Sequence, residues 1–352
     1  MKKINGMRRV TIRDIAHRLH LSHATVSRAL NDNPRISDAT KKRVNDIAVE
    51  LKYRPNIIAR GLANQQTSLI GLVIRDIRSS FHAEIIAGVQ ETVEEQGLSI
   101  ILCNSDKDEK DEARHLQTML DKQVDGIVLV PVSGKKANTE LIAQIAHEEI
   151  SVVLVATSKP GLRIPCVKVD NELGGYLAAK HLISLGHQHI GYLTYSTVGF
   201  NTAPIGSDEN TDRYRGYLRA LNEVRLAHKA QVLIGGLTQR EINKFMQTFM
   251  PQSNRPTALF AFSDEMAIEV IHSALDMGYQ IPDELSVVGF DDLPYAALVY
   301  PGLSTVAQPK LELGAIAARK LLHLMQGRRD GTTVLEPILI VRESTGALKR
   351  KE

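Results

Sequence analysis

"TIRDIAHRLHLSHATVSRALNDNP", residues 11–34, decides how the first part of this chain folds. Thr11 stands three residues before Asp14, a capping-box-like helix start. Ile12, Ile15, Ala16 and Leu19 follow at the spacing of an amphipathic helix. His20-Leu21-Ser22 reads as a tight turn, and Ser22 suits the N-cap of a second helix. There Val26, Ala29 and Leu30 face one way, toward Leu21, and Asn31-Asp32-Asn33-Pro34 breaks the helix. Ser37 caps a third helix whose inner face is Val44, Ile47, Ala48 and Leu51. The outward side of the second helix carries His23, Ala24, Thr25, Ser27, Arg28 and Asn31. Apart from Arg28, none of these is a long solubilising side chain. Three short helices with a three-residue turn make a helix-turn-helix plan. Short donors and acceptors on the second helix would reach base edges in a major groove, where Arg suits guanine. The plain alternative is a three-helix bundle with a neutral surface.

Charge favours the first reading. Residues 1–64 carry a net charge of +9 and the remainder −6. A basic head on an acidic body implies a polyanionic partner for the head. The 352 residues allow two or three domains, and 43% hydrophobic content supports a sizeable core. Cys103 and Cys166 form neither a metal-ligand spacing nor a disulfide framework. With no apolar leader at the N-terminus, a reducing cytoplasm is expected. No apolar run reaches the roughly 18 residues of a membrane span.

From Ser68 the pattern becomes βα alternation. Apolar runs "LIGLVI", "SIILCN" and "GIVLVP" alternate with helical stretches near 82–96, 108–122 and 137–147. After "VKVD" at 167–170 the alternation resumes, with helices at 171–185, 211–223, 238–249 and 264–277. This predicts two lobes built on parallel sheets, with a cleft at the strand ends. No dinucleotide fingerprint, Walker A sequence, zinc-protease helix or nucleophile elbow occurs, so no catalytic residue, cofactor or metal is expected. His187 and His189 in "LGHQHIG" sit two apart at a strand entry. They should point to opposite faces, as part of an exposed turn.

These residues resemble the lac repressor family. "TIRDIAHRLHLSHATVSRALN", "ISDATKKRVNDIAVELKYRPN" and "IARGLANQQTSLIGLVI" look like its head, third helix and hinge. "VDNELGGYLAAKHLISLGH", "DRYRGYLRAL" and "PDELSVVGFDD" look like its effector domain, a fold shared with periplasmic sugar-binding proteins. The likeness spans about residues 9–343. His20 departs from the family's turn glycine, at a position needing a left-handed backbone that His tolerates. The resemblance implies an all-α helix-turn-helix head (1–54), a hinge helix and linker (55–67), an α/β two-lobed body (68–343) and a basic tail (344–352). It implies three crossings between lobes, with residues near 301–328 returned to the first. The candidate DNA contacts are Thr11, Ser22, His23, Ala24, Thr25, Ser27, Arg28, Asn31, Arg35, Tyr53, Asn56, Ala59, Arg60 and Leu62. Pro55 suits the first turn of the hinge helix, which is too short to hold alone and should order on a partner. The resemblance makes Leu62 a minor-groove wedge. The candidate effector contacts are Arg213 and Asp291, with Arg75, Phe81, His82 and Ser263 nearby. His82 stands where the family often has a second aromatic.

The expectation is a sequence-specific transcriptional regulator, a repressor, controlled by a sugar or related metabolite bound between the lobes. Its partners would be double-stranded operator DNA, the effector and a second copy of itself. The family's tetramers carry a C-terminal leucine heptad helix. This chain ends "RESTGALKRKE", so a dimer is expected. The rival readings are a sugar-binding module and an α/β enzyme acting on a sugar or nucleotide.

Overall fold

The computed structural model describes residues 10–53, 67–132, 138–148, 150–159, 161–195, 209–236 and 238–348. The chain forms two compact units, residues 1–67 and 68–352. In the first, α1 (Ile12–Leu19), α2 (His23–Leu30) and α3 (Asp38–Glu50) enclose Ile15, Ala16, Val26, Ala29, Val44 and Ala48. The Asp14 carboxylate accepts both the amide and the hydroxyl of Thr11 at 2.7 Å. His20 takes the left-handed backbone (φ 52°) that its place in the turn requires. The Ser22 hydroxyl accepts the Thr25 amide at 3.0 Å, and Ser37 caps α3 in the same way.

Among the described residues the second unit has two sheets of six strands. In chain order its elements are β1 (Leu69–Ile74), α4 (Ser80–Glu94), β2 (Ser99–Asn104), α5 (Glu109–Asp121), β3 (Gly126–Leu129), α6 (Thr139–His147), β4 (Ser151–Val155) and β5 (Cys166–Val169). Then come α7 (Asn171–Ser184), β6 (Ile190–Thr194), α8 (Glu209–Glu223), β7 (Gln231–Ile234), α9 (Gln239–Phe249), β8 (Ala258–Ala261), α10 (Asp264–Asp276) and β9 (Ser286–Asp291). β10 (Ser304–Ala307), α11 (Lys310–Met325), β11 (Thr333–Leu335) and β12 (Ile338–Ile340) complete it. The first sheet runs β11-β5-β4-β3-β1-β2 and the second β12-β10-β9-β8-β6-β7. Among the described residues all pairings are parallel except β10 with β12, which closes one edge of the second sheet antiparallel. Buried Ile, Val and Leu fill the central strands β1, β3, β4, β8 and β9, as doubly covered parallel sheets demand, while the edge strands β2, β7, β11 and β12 hold no buried residue.

The chain crosses between lobes three times: after β5, between β10 and α11, and between β11 and β12. The second crossing falls later than the family pattern implied. Residues 304–307 still pair with β9, and the chain leaves only at Gln308-Pro309, where proline ends the ladder. The packed body also continues past 343. Ser344 is fully buried, its hydroxyl donating to the Val287 carbonyl, and the Leu348 amide donates to Leu185.

In each sheet the strand order reverses beside the first strand, between β1 and β3 and between β6 and β8. Crevices at such reversals, at the carboxyl ends of the strands, are where open α/β sheets bind ligands. Arg75 directly follows β1, and Ser263 lies just beyond β8.

Candidate functional site

Two surfaces qualify. On the head, Thr11, Ser22, His23, Ala24, Arg28, Asn31 and Arg35 are exposed, and Thr25 and Ser27 are half-buried. Val26 and Ala29 point the other way, into the core. Arg28 makes no ion pair among the described residues. Ser22 and Thr25 also serve the α2 cap, their hydroxyls 2.8 Å apart. Tyr53 packs against the head core. Asn56, Ala59, Arg60 and Leu62 lie outside the described residues.

The second surface lies where the strands of the body end, and its centre is Arg213. This side chain is 5% exposed. Its Nε donates to Asn171 Oδ1 at 2.9 Å, one terminal nitrogen donates to the Phe262 carbonyl, and the other lies 3.6 Å from Asp291 Oδ1. The guanidinium stacks 3.6 Å from the Phe290 ring centre and 4.6 Å from that of Phe262. Helix packing fixes its place. A Cβ on Gly175 would run into the Arg213 carbonyl, so only glycine lets α7 and α8 lie this close. Asp291 ends β9 with φ 119°, a backbone region unfavourable for a residue with a side chain. Burial pushes its carboxyl up to about 7, against the opposing pull of Arg213.

The expected residues therefore gather unequally. Arg213 and Asp291 meet. Arg75 reaches across the lobes to Glu209 on α8, 2.9 Å away. Ser263 caps α10 through the Met266 amide. Phe81 packs on the core of the first lobe, edge-on to His82. His82 is buried, with Nδ1 2.9 Å from the Asp76 carbonyl; burial and the nearby Arg75 bring its pKa down to about 4.

Several participants escape a reading of the sequence. Asn171, just after the first crossing, holds Arg213. Gln308, at the second, donates to Asp291 Oδ1 at 2.6 Å. Lys310, 4% exposed, donates to the carbonyls of Asp291 and Asp292 at 2.7 and 2.8 Å and lies 3.4 Å from Glu84 on α4. Both gripping side chains are thus tethered by amide residues at lobe crossings, and Lys310 links the end of β9 to the first lobe. Pro309 at the start of a helix marked the place but not the partners.

The two histidines do not share an exposed turn. His187 is buried, not part of an exposed turn. Its Nδ1 meets Thr257 Oγ1 at 2.9 Å, and its Nε2 lies 3.1 Å from Ser286 Oγ and 3.1 Å from the Gly346 carbonyl. The ring fastens the C-terminal segment to the second sheet. Among the described residues no cluster of metal-ligating side chains occurs.

The family profile "Bacterial regulatory proteins, lacI family" matches residues 11–56, and "Periplasmic binding protein-like domain" matches 179–345. The transcriptional regulator DegA of Bacillus subtilis is 34% identical over 97% of this chain and 99% of its own length. The chain belongs to the lacI family. Catabolite control protein A of Priestia megaterium is 34% identical, covering 93% of the chain and 96% of its own length. The crystal structure of a lac repressor dimer bound to operator and an anti-inducer superposes with a TM-score of 0.83, at 25% identity over 97% of this chain and all of that one. This lacI-family member is accordingly a DNA-binding transcriptional regulator with an effector-binding body. Among the described residues no helix is long and apolar enough to cross a membrane.

Proposed function

We propose that this chain is a homodimeric repressor whose heads read a near-palindromic operator and whose body releases or retains that operator according to a small metabolite between the lobes. The observation that carries the reading is the buried Arg213–Asp291 pair at the strand ends. Its donors and acceptors are costly to bury unless a function retains them. In this reading Arg28 and Thr25 contribute groove contacts, with His23 and Ala24 setting base preference, while Thr11, Ser22, Ser27, Asn31, Arg35 and Tyr53 add further DNA contacts. Asn56, Ala59, Arg60 and Leu62 act in the hinge. Arg75, Phe81, His82, Arg213, Ser263 and Asp291 serve the effector, and no reaction is catalysed. The dimer would cover Leu298 and Tyr300, apolar side chains of the second lobe that stand 81% and 87% exposed. Its place of work would be the cytoplasm. Selection of bound sequences from a random duplex pool tests the reading. The expected product is an inverted repeat bound by two copies; enrichment of no sequence would refute it.

A further inference from the structure

Arg75 and Glu209 form an ion pair between the lobes, with side chains 16% and 13% exposed. Desolvating both ions costs more than such a pair ordinarily returns. Glu209 precedes Arg213 by one helical turn, so Arg75, Glu209, Arg213 and Asp291 form a row of alternating charge from one lobe to the other. Burial pushes the Glu209 carboxyl up, but Arg75, a backbone hydrogen bond and Arg213 together outweigh this and hold it below its ordinary range, so the site keeps a carboxylate. Lys159, buried with its ammonium on the Val132 carbonyl, adds a further cation within electrostatic reach of Glu209. His82 supplies an independent feature. Its Nδ1 must carry the hydrogen that the Asp76 carbonyl accepts, which leaves Nε2 a bare acceptor. That atom is buried with no hydrogen-bond partner among the described residues, on a ring 6% exposed.

We propose that the effector is a polyhydroxylated carboxylic acid, whose carboxylate displaces that of Glu209 from Arg75 and whose hydroxyl donates to His82 Nε2. The inference rests on reading the cleft as the effector site. Glu209 then holds the place of the ligand's acid, so closure without ligand leaves no unpaired cation. A neutral sugar offers Arg75 hydroxyl acceptors but no charge to replace the Glu209 carboxylate.

The test is the melting temperature of the full-length protein with D-glucuronate, D-gluconate, their neutral counterparts D-glucuronamide and D-glucose, and D-glucose 6-phosphate. At least one of the two acids should raise it, and the neutral compounds should not. Glu209→Gln should bind that acid about tenfold more tightly, because the internal competitor is weakened. The double variant Arg75→Met/Glu209→Gln, which removes both charges together, should lose the response. Silence toward both acids overturns the proposal, as does a larger response to the phosphate or an acid response that survives the double variant. Stabilisation by the neutral sugars alone also overturns it and leaves the regulator reading intact. Failure to select an inverted repeat strikes that reading instead.

Discussion

The outward face of α2 and the wall of the cleft are both binding surfaces, built in opposite ways. On α2 most of the groups stand in water, Thr25 and Ser27 being half-buried, and the Thr25 hydroxyl meets Ser22 at the start of the same helix. In the cleft Arg213 and Asp291 are nearly enclosed and held by Asn171, Phe262, Phe290 and Gln308, from other elements. A surface contact contributes to binding and little to folding. A buried charged contact does both, and its loss is felt first as instability.

The largest expected effect follows from that contrast. Arg213→Met should destabilise the body by about 3 kcal/mol, because Asn171 and Asp291 lose their buried cation. Urea unfolding measures it, and an unchanged midpoint would mean that the cleft is not built as described. Arg28→Ala should leave the unfolding midpoint unchanged and cost about 1–3 kcal/mol on the selected operator. Equal losses on random and operator duplexes would assign Arg28 to phosphate rather than bases. Ser22→Ala should cost about 1 kcal/mol of head stability through the lost cap. Circular dichroism of thermal unfolding would show it as a lower first transition.

The difference also explains what the sequence made legible. The head could be read almost residue by residue, because caps, periodicity and turn chemistry act over three or four positions. Thr11, His20, Ser22 and Ser37 all behave as their local neighbours demand. The α/β alternation was legible for the same reason. The cleft was legible only where a charged residue closes an apolar strand, as Asp291 does, or where the family likeness pointed to Arg213. Its supports were not. Arg213 and Asn171 are 42 residues apart, and the partners of Lys310 on β9 meet it only because the chain returns to the first lobe after Pro309. The burial of His187 was hidden likewise, since Ser286 and Gly346 reach it from 99 and 159 residues away.

Titration sharpens the comparison further. Burial holds the Asp291 carboxyl up at about 7, above its ordinary 3.8. Between these values the folded state binds more protons than the unfolded one, so rising pH removes stability. Asp291→Asn abolishes that dependence. The wild type should lose stability relative to this variant as pH rises from about 5 to 8. A difference that stays constant, or one that grows the other way, would remove the raised carboxyl from the account.

In the proposed function the cleft governs the head without taking part in DNA contact. Fluorescence anisotropy of the selected operator, with wild type and Asp291→Ala, tests it most directly. Each protein is titrated alone and with the metabolite that raises the wild-type melting temperature. Wild-type affinity should change by about tenfold or more on saturation, a coupling of at least ~1.4 kcal/mol. The variant should match the wild type without metabolite and fail to respond when it is added. A folded variant that has lost operator affinity under both conditions, or a wild type indifferent to saturation, would contradict the claim.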